Sequence, residues 1–161
     1  MKNLFFFDID TQKDFMLKTG ALYVPGAERI IPKLRRLFDF AAGNEISVIS
    51  TMDTHTADDS EFAEFPAHCV KGTDGWRKLD DTLTLHPLIF TTTPTDRNLP
   101  DCVRKNRQII VEKSTFDVFS NPVMERLTRA LPPRAVVLAL RRNIALKKRF
   151  LGCVNWAYKL W

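Results

Sequence analysis

Short apolar runs recur along the chain, each ending at a polar or charged residue, and stretches of helical periodicity lie between them. Residues 4–7 are wholly apolar and stop at Asp8, the pattern of a strand buried on both faces whose C-terminal end is polar. Pro25 and Gly26 punctuate the chain, and then Ile30, Ile31, Leu34, Leu37, Phe38 and Ala41 recur at helical spacing. That spacing predicts an amphipathic helix over 27–41, stopped by Gly43 and Asn44. Ile46, Val48 and Ile49 lead into Thr51, Met52 and Asp53, a second strand with an acidic end. Further on, 87–93 reads as a short strand or extended segment, and 108–111 as a strand delivering Glu112 and Lys113. A short helix over 122–131 precedes Pro132 and Pro133, 135–140 is another apolar strand, and a helix is predicted over 143–157. Strands apolar on both faces, alternating with helices, predict an α/β fold: a three-layer αβα arrangement with a mostly parallel central sheet. Sites in such sheets form beyond the carboxyl ends of the strands, which places Asp10, Asp53 and Lys113 at one edge.

The length of 161 residues, 45% of them hydrophobic, suits one domain, expected to span 1–161. The apolar runs are far shorter than the roughly 18 residues of a membrane span, and no small-residue cleavage site follows the first of them, so neither a membrane anchor nor a signal peptide is expected. Three cysteines, Cys69, Cys102 and Cys153, form no CxxC pair, which suggests neither a disulfide scaffold nor a zinc finger and fits a reducing cytoplasm. The formal charge of +5 changes meaning once it is divided along the chain: residues 1–125 hold 15 Lys/Arg against 19 Asp/Glu, whereas 126–161 hold nine basic residues and no acid. No glycine-rich loop or interleaved aromatics accompany that basic stretch, so no nucleic-acid partner is expected.

Asp53 and His55 follow a strand, and Glu61 and His68 come after them in a polar loop. Mixed carboxylate and imidazole donors suit zinc, iron or manganese. The same spacing also suits a His55 that hydrogen-bonds Asp53 and a His68 that packs beside Pro66. His86, before Pro87, reads as a surface or turn residue, and Cys102 as part of a Pro-Asp-Cys turn. Asp10 and Lys113 each close an apolar run; a carboxylate beside an ammonium can set up proton transfer, or can be an ordinary ion pair. Phe15 and Phe65 are candidates for apolar walls against a flat ring, or for the core.

At these residues the sequence resembles the nicotinamidase and isochorismatase-like cysteine hydrolase family. Asp10-Thr11-Gln12-Lys13-Asp14-Phe15 resembles the family's Asp-x-Gln-x-Asp-Phe motif, Pro66 to Thr73 its Pro-x-His-Cys-Val-x-Gly-Thr segment, and the stretch opening at Lys113 the segment of the catalytic lysine. The resemblance implies an amidohydrolase acting on nicotinamide or a similar small amide. Asp10 would be the general acid/base and Lys113 the cation that steadies thiolate and oxyanion. Asp53, His55, Glu61 and His68 would hold a divalent metal, and Phe15 and Phe65 would flank the ring. The related alternative is an isochorismatase-type vinyl-ether hydrolase, which uses no metal. A non-enzyme alternative is a catalytically dead member that binds a ligand or forms oligomers.

The family's mechanism needs a cysteine at a helix start after the fifth strand, where its thiolate attacks the amide carbonyl. In that register this chain has Ala145. Cys153, eight residues on, would lie about 12 Å farther along a helix, and Cys69 belongs to the loop motif. In the family another strand and a final helix also follow the position of Trp161, so 158–161 would only begin a sixth strand and the domain would be incomplete at its C-terminus. Either a second copy in a homo-oligomer covers the apolar surface left there, or the gene is truncated or misread.

Overall fold

A computed structural model describes residues 3–140 and the strand Asn155–Leu160. The first strand, β1 (Phe5–Asp8), is buried along its whole length because both of its faces are covered. Phe5 and Phe7 point into one apolar core and Phe6 into another, the period-two alternation of a strand. A single turn, α1 (Lys13–Met16), follows, then a 3-10 turn (Ala27–Ile30) that runs into α2 (Ile31–Gly43). The periodicity predicted one helix from residue 27. The first turn is instead tightened to 3-10, and Pro32, which lacks an amide hydrogen, sits in the opening turn of α2, where no intrahelical donor is needed. Leu34, Phe38 and Ala41 of α2 are buried against Phe6 and Val48, each large side chain contributing about 1.5–3 kcal/mol. The predicted stop holds, although the left-handed residue beyond the helix is Glu45, with φ 54°, rather than Gly43.

The remaining elements are β2 (Val48–Asp53), β3 (Leu88–Phe90), α3 (Leu99–Lys105), β4 (Gln108–Lys113), α4 (Pro122–Thr128), β5 (Arg134–Leu138) and β6 (Asn155–Leu160). The six strands form one parallel sheet in the order β3-β4-β2-β1-β5-β6. The core on one face takes in Leu99 of α3 and Val123, Met124 and Leu127 of α4; the other is capped by α2. Parallel pairing requires crossovers, and the crossover helices fall on both faces, giving the three-layer αβα arrangement. No helix among the described residues is long and apolar enough to cross a membrane.

Two predicted details change. Cys102 lies on α3 rather than in a turn: Asn98 caps that helix by accepting the Asp101 N–H, and Pro100 occupies its first turn. The predicted helix over 143–157 overlaps β6, which already begins at Asn155 and pairs with β5 through Arg134↔Asn155. Parallel pairing with β5 has overridden the helical reading for those last three positions. The rest of that predicted helix, and Ala145 with it, lies outside the described residues.

Candidate functional site

The sheet order makes β4, β2 and β1 neighbours, so the residues at their carboxyl ends converge. Asp53 and Lys113 are direct partners in the β2/β4 register, and Asp10 comes just after β1. The Lys113 ammonium sits between two carboxylates: it bonds to Asp53 Oδ1 and lies 3.1 Å from Asp10 Oδ2. All three side chains are buried. Burial by itself would pull the Lys113 pKa down, but the charges of Asp10 and Asp53 outweigh it and hold the ammonium above its ordinary range. For Asp53, burial and then the Asp10 charge win over Lys113, and its carboxyl is pushed up to about 7. One cation thus serves two buried carboxylates, and the raised Asp53 carboxyl favours keeping a proton there up to about neutral pH.

Asp10 adopts a left-handed conformation, φ 50°, uncommon for a residue with a side chain. Thr51, on β2, holds it twice. The Thr51 hydroxyl accepts the Asp10 N–H at 3.2 Å and donates to Asp10 Oδ1 at 2.6 Å. Oδ1 is therefore committed to the Thr51 hydroxyl, and Oδ2 faces the Lys113 ammonium.

Next to this group lie His55 and His68. A donor atom from each of them, and one from Asp53, all fall within 4.8 Å of one another, and all three residues are buried. The plain hydrogen-bonding reading holds for His68 and not for His55. His55 Nδ1 pairs with Asp59 Oδ2 at 2.9 Å rather than with Asp53. His68 does lie by Pro66, its Nδ1–H donating to that residue's carbonyl at 2.8 Å. Both bonds engage Nδ1 and leave Nε2 as the available lone pair, the arrangement by which outer partners orient ligating imidazoles. His55 Nε2 is buried without a hydrogen-bond partner. A buried nitrogen left unsatisfied, beside a second imidazole and a carboxylate, fits a borderline divalent ion. Glu61 stands at the rim, its Oε1 3.7 Å from His68 Nε2.

The two predicted ring walls have different aromatic partners. Phe15 meets His68 edge-on, ring centroids 5.6 Å apart, whereas Phe65 pairs with the exposed Phe116 at 6.0 Å. His86 is exposed in a left-handed turn with φ 59°, as its place before Pro87 suggested. Cys69 is fully buried, and burial, followed by the charges of Asp53, Asp14 and Asp10, pushes its thiol far above the usual range. Both effects disfavour the thiolate that a nucleophile needs. Thr51 and Asp59 were not singled out from the sequence; Thr51 lies two positions before Asp53 on the same strand, and Asp59 four after His55.

The isochorismatase domain family matches residues 5–139, most of the chain. No curated protein matches. Among solved structures, a nicotinamidase/pyrazinamidase from Bacillus subtilis is 20% identical with a TM-score of 0.71, covering 97% of this chain and 82% of that one. An isochorismatase-like hydrolase from Alkaliphilus metalliredigens is 22% identical with a TM-score of 0.69, covering 95% and 78%. An N-carbamoylsarcosine amidase from Thermoplasma acidophilum is 18% identical with a TM-score of 0.66, covering 97% and 80%. At these identities the structural likenesses speak for the fold alone.

Proposed function

This chain belongs to the isochorismatase domain family, and we propose that it is a nicotinamidase-like amidohydrolase domain whose hydrolytic step is closed by alanine at position 145. The observation that carries this reading is the position of Lys113, which bonds at once to Asp10 and to Asp53 of the metal-ligand set, so that acid/base and ligand groups form one buried unit. A free, buried His55 Nε2 favours the metal-using amidase over the metal-free vinyl-ether hydrolase.

Asp53, His55 and His68 would hold a divalent zinc, iron or manganese ion, with Glu61 at its rim. Such an ion supplies a Lewis-acid contact for a ring nitrogen of the substrate. The residues of the chain then have distinct tasks. Phe15 and Phe65 give apolar surface to a flat ring. Lys113, held cationic by its two carboxylates, offers positive charge to a developing oxyanion. Were a cysteine present at position 145, Asp10 would take its thiol proton as the sulfur attacks the amide carbonyl and return it to the departing nitrogen as the C–N bond breaks; it would then take a proton from the water that attacks the thioester and pass it to the sulfur as the C–S bond breaks. A methyl group has no electron pair with which to attack the carbonyl, so in this sequence these residues bind the amide without cleaving it.

Ammonia release from nicotinamide, with zinc or manganese added, tests the reading on the full chain and on Ala145→Cys. Release by the variant alone is the expected result. Silence from a folded, metal-loaded variant, or release by the unaltered chain, would overturn it.

A further inference from the structure

We infer that Gln12 and Asp14 are positioning residues that tie both arms of the metal-ligand set to the first turn of α1; the inference rests on that set being a metal site. Gln12 is fully buried, and its carboxamide makes three hydrogen bonds. Its Oε1 accepts the Asp53 N–H at 2.7 Å, while its Nε2 donates to the Asp53 carbonyl at 2.8 Å and to the Trp76 carbonyl at 2.7 Å. Gripping the N–H and the C=O of one residue fixes the peptide planes on both sides of it. The direction in which Asp53 projects its carboxylate is thereby set before any ion arrives.

Asp14 does the same for the other arm. Its Oδ2 accepts the Cys69 N–H at 2.7 Å and its Oδ1 the Ala21 N–H at 2.9 Å. The Cys69 N–H belongs to the peptide that joins His68 to Cys69, at a residue held in the left-handed region with φ 46°. The Cys69 carbonyl in turn accepts the His55 N–H at 3.1 Å, and the His55 carbonyl accepts the Lys71 N–H at 3.0 Å. One carboxylate thus fixes the backbone of both histidine segments. The chain makes room for it: a Cβ on Gly75 would fall 2.2 Å from Asp14 Oδ1. The anchor is itself secured, because Lys13 and Asp14 donate their N–H groups to the carbonyls of Arg77 and Gly75 at 2.9 and 3.0 Å.

Metal sites gain affinity when their donors are held in place in advance, and loss of an outer partner typically weakens binding by about 10- to 100-fold. Zinc and cobalt titrations of the full chain, of Gln12→Met and of Asp14→Asn test the inference. Both folded variants are expected to bind zinc roughly 10- to 100-fold more weakly than the wild type and to shift the visible absorption of bound cobalt, a signature that a purely structural role leaves unmoved. Folded variants with wild-type affinity and an unchanged cobalt band overturn the inference alone. A wild-type chain that binds neither ion removes the metal reading and the inference with it. Hydrogen exchange on the metal-free wild type provides a check independent of variant folding. The amides of Asp53 and Cys69 should already be protected there; protection that appears only after zinc is added contradicts preorganisation.

Discussion

Lys78 and Asp8 form an ion pair at 2.7 Å with side chains 1% and 0% exposed, so neither charge reaches water. The Lys78 ammonium also donates to the Thr11 hydroxyl at 2.8 Å, and Thr11 donates to Asp8 at 2.9 Å. These bonds fasten the loop after Trp76 to the end of β1. Removing one partner strands the other. Lys78→Met is expected to lower stability by about 3–5 kcal/mol, read from urea unfolding. Pairing it with Asp8→Leu should recover much of that loss, because two apolar groups leave no charge buried; a double variant as unstable as the single one would refute this account.

The raised carboxyl gives Asp53 a signature in stability. Its carboxyl is pushed up to about 7 in the folded protein by burial and the Asp10 charge, against about 3.9 in an unfolded chain. The folded state therefore holds that proton more tightly. The contribution of this group is fully present below the unfolded value and is lost as pH rises through the folded one. Lys113, raised above its ordinary range, loses its contribution only in strong alkali. Metal-free protein should accordingly lose stability relative to Asp53→Asn between about pH 4 and about pH 7. Urea midpoints of both proteins across that range check the sign.

Cys69 should be chemically silent. In a Cys102→Ser, Cys153→Ser background, a chromogenic disulfide reagent is expected to react with the remaining thiol only after the protein is unfolded, because burial and three nearby carboxylates disfavour the thiolate. Rapid reaction in the native state would mean that the loop around His68 opens readily.

Gly20 tests the close approach of α1 to the turn that follows it. A Cβ at this position would lie 2.3 Å from the Asp14 carbonyl oxygen, a backbone atom unable to swing aside. Gly20→Ala is expected to cost about 1–3 kcal/mol, and zinc affinity should fall with it if Asp14 is displaced. A thermal melt and a zinc titration on the same sample separate the two effects.

The alternation of apolar runs and helical periodicity was enough for the fold class, because strands covered on both faces leave a sequence signal that survives without knowledge of their order. The same runs located Asp10, Asp53 and Lys113 at strand ends. Local patterns failed where pairing decided the outcome. Asn155 to Ala157 read as the end of a helix and are strand because β5 offers them a parallel partner. A short helix such as α3, with Pro100 in its first turn, buries too small a face to show a period.

For the site, the sequence supplied the chemistry, since residue type alone says which side chains carry protons or lone pairs. Only the tertiary structure decided their roles. It brought Lys113 between two carboxylates, gave His55 to Asp59 and so freed its Nε2, and spent Gln12 and Asp14 on backbone groups 41 and 55 positions away in the chain. Which hydrogen bond a polar side chain makes depends on what the sheet order places beside it, and the order β3-β4-β2-β1-β5-β6 is a property of all the strands together that no local stretch of sequence contains.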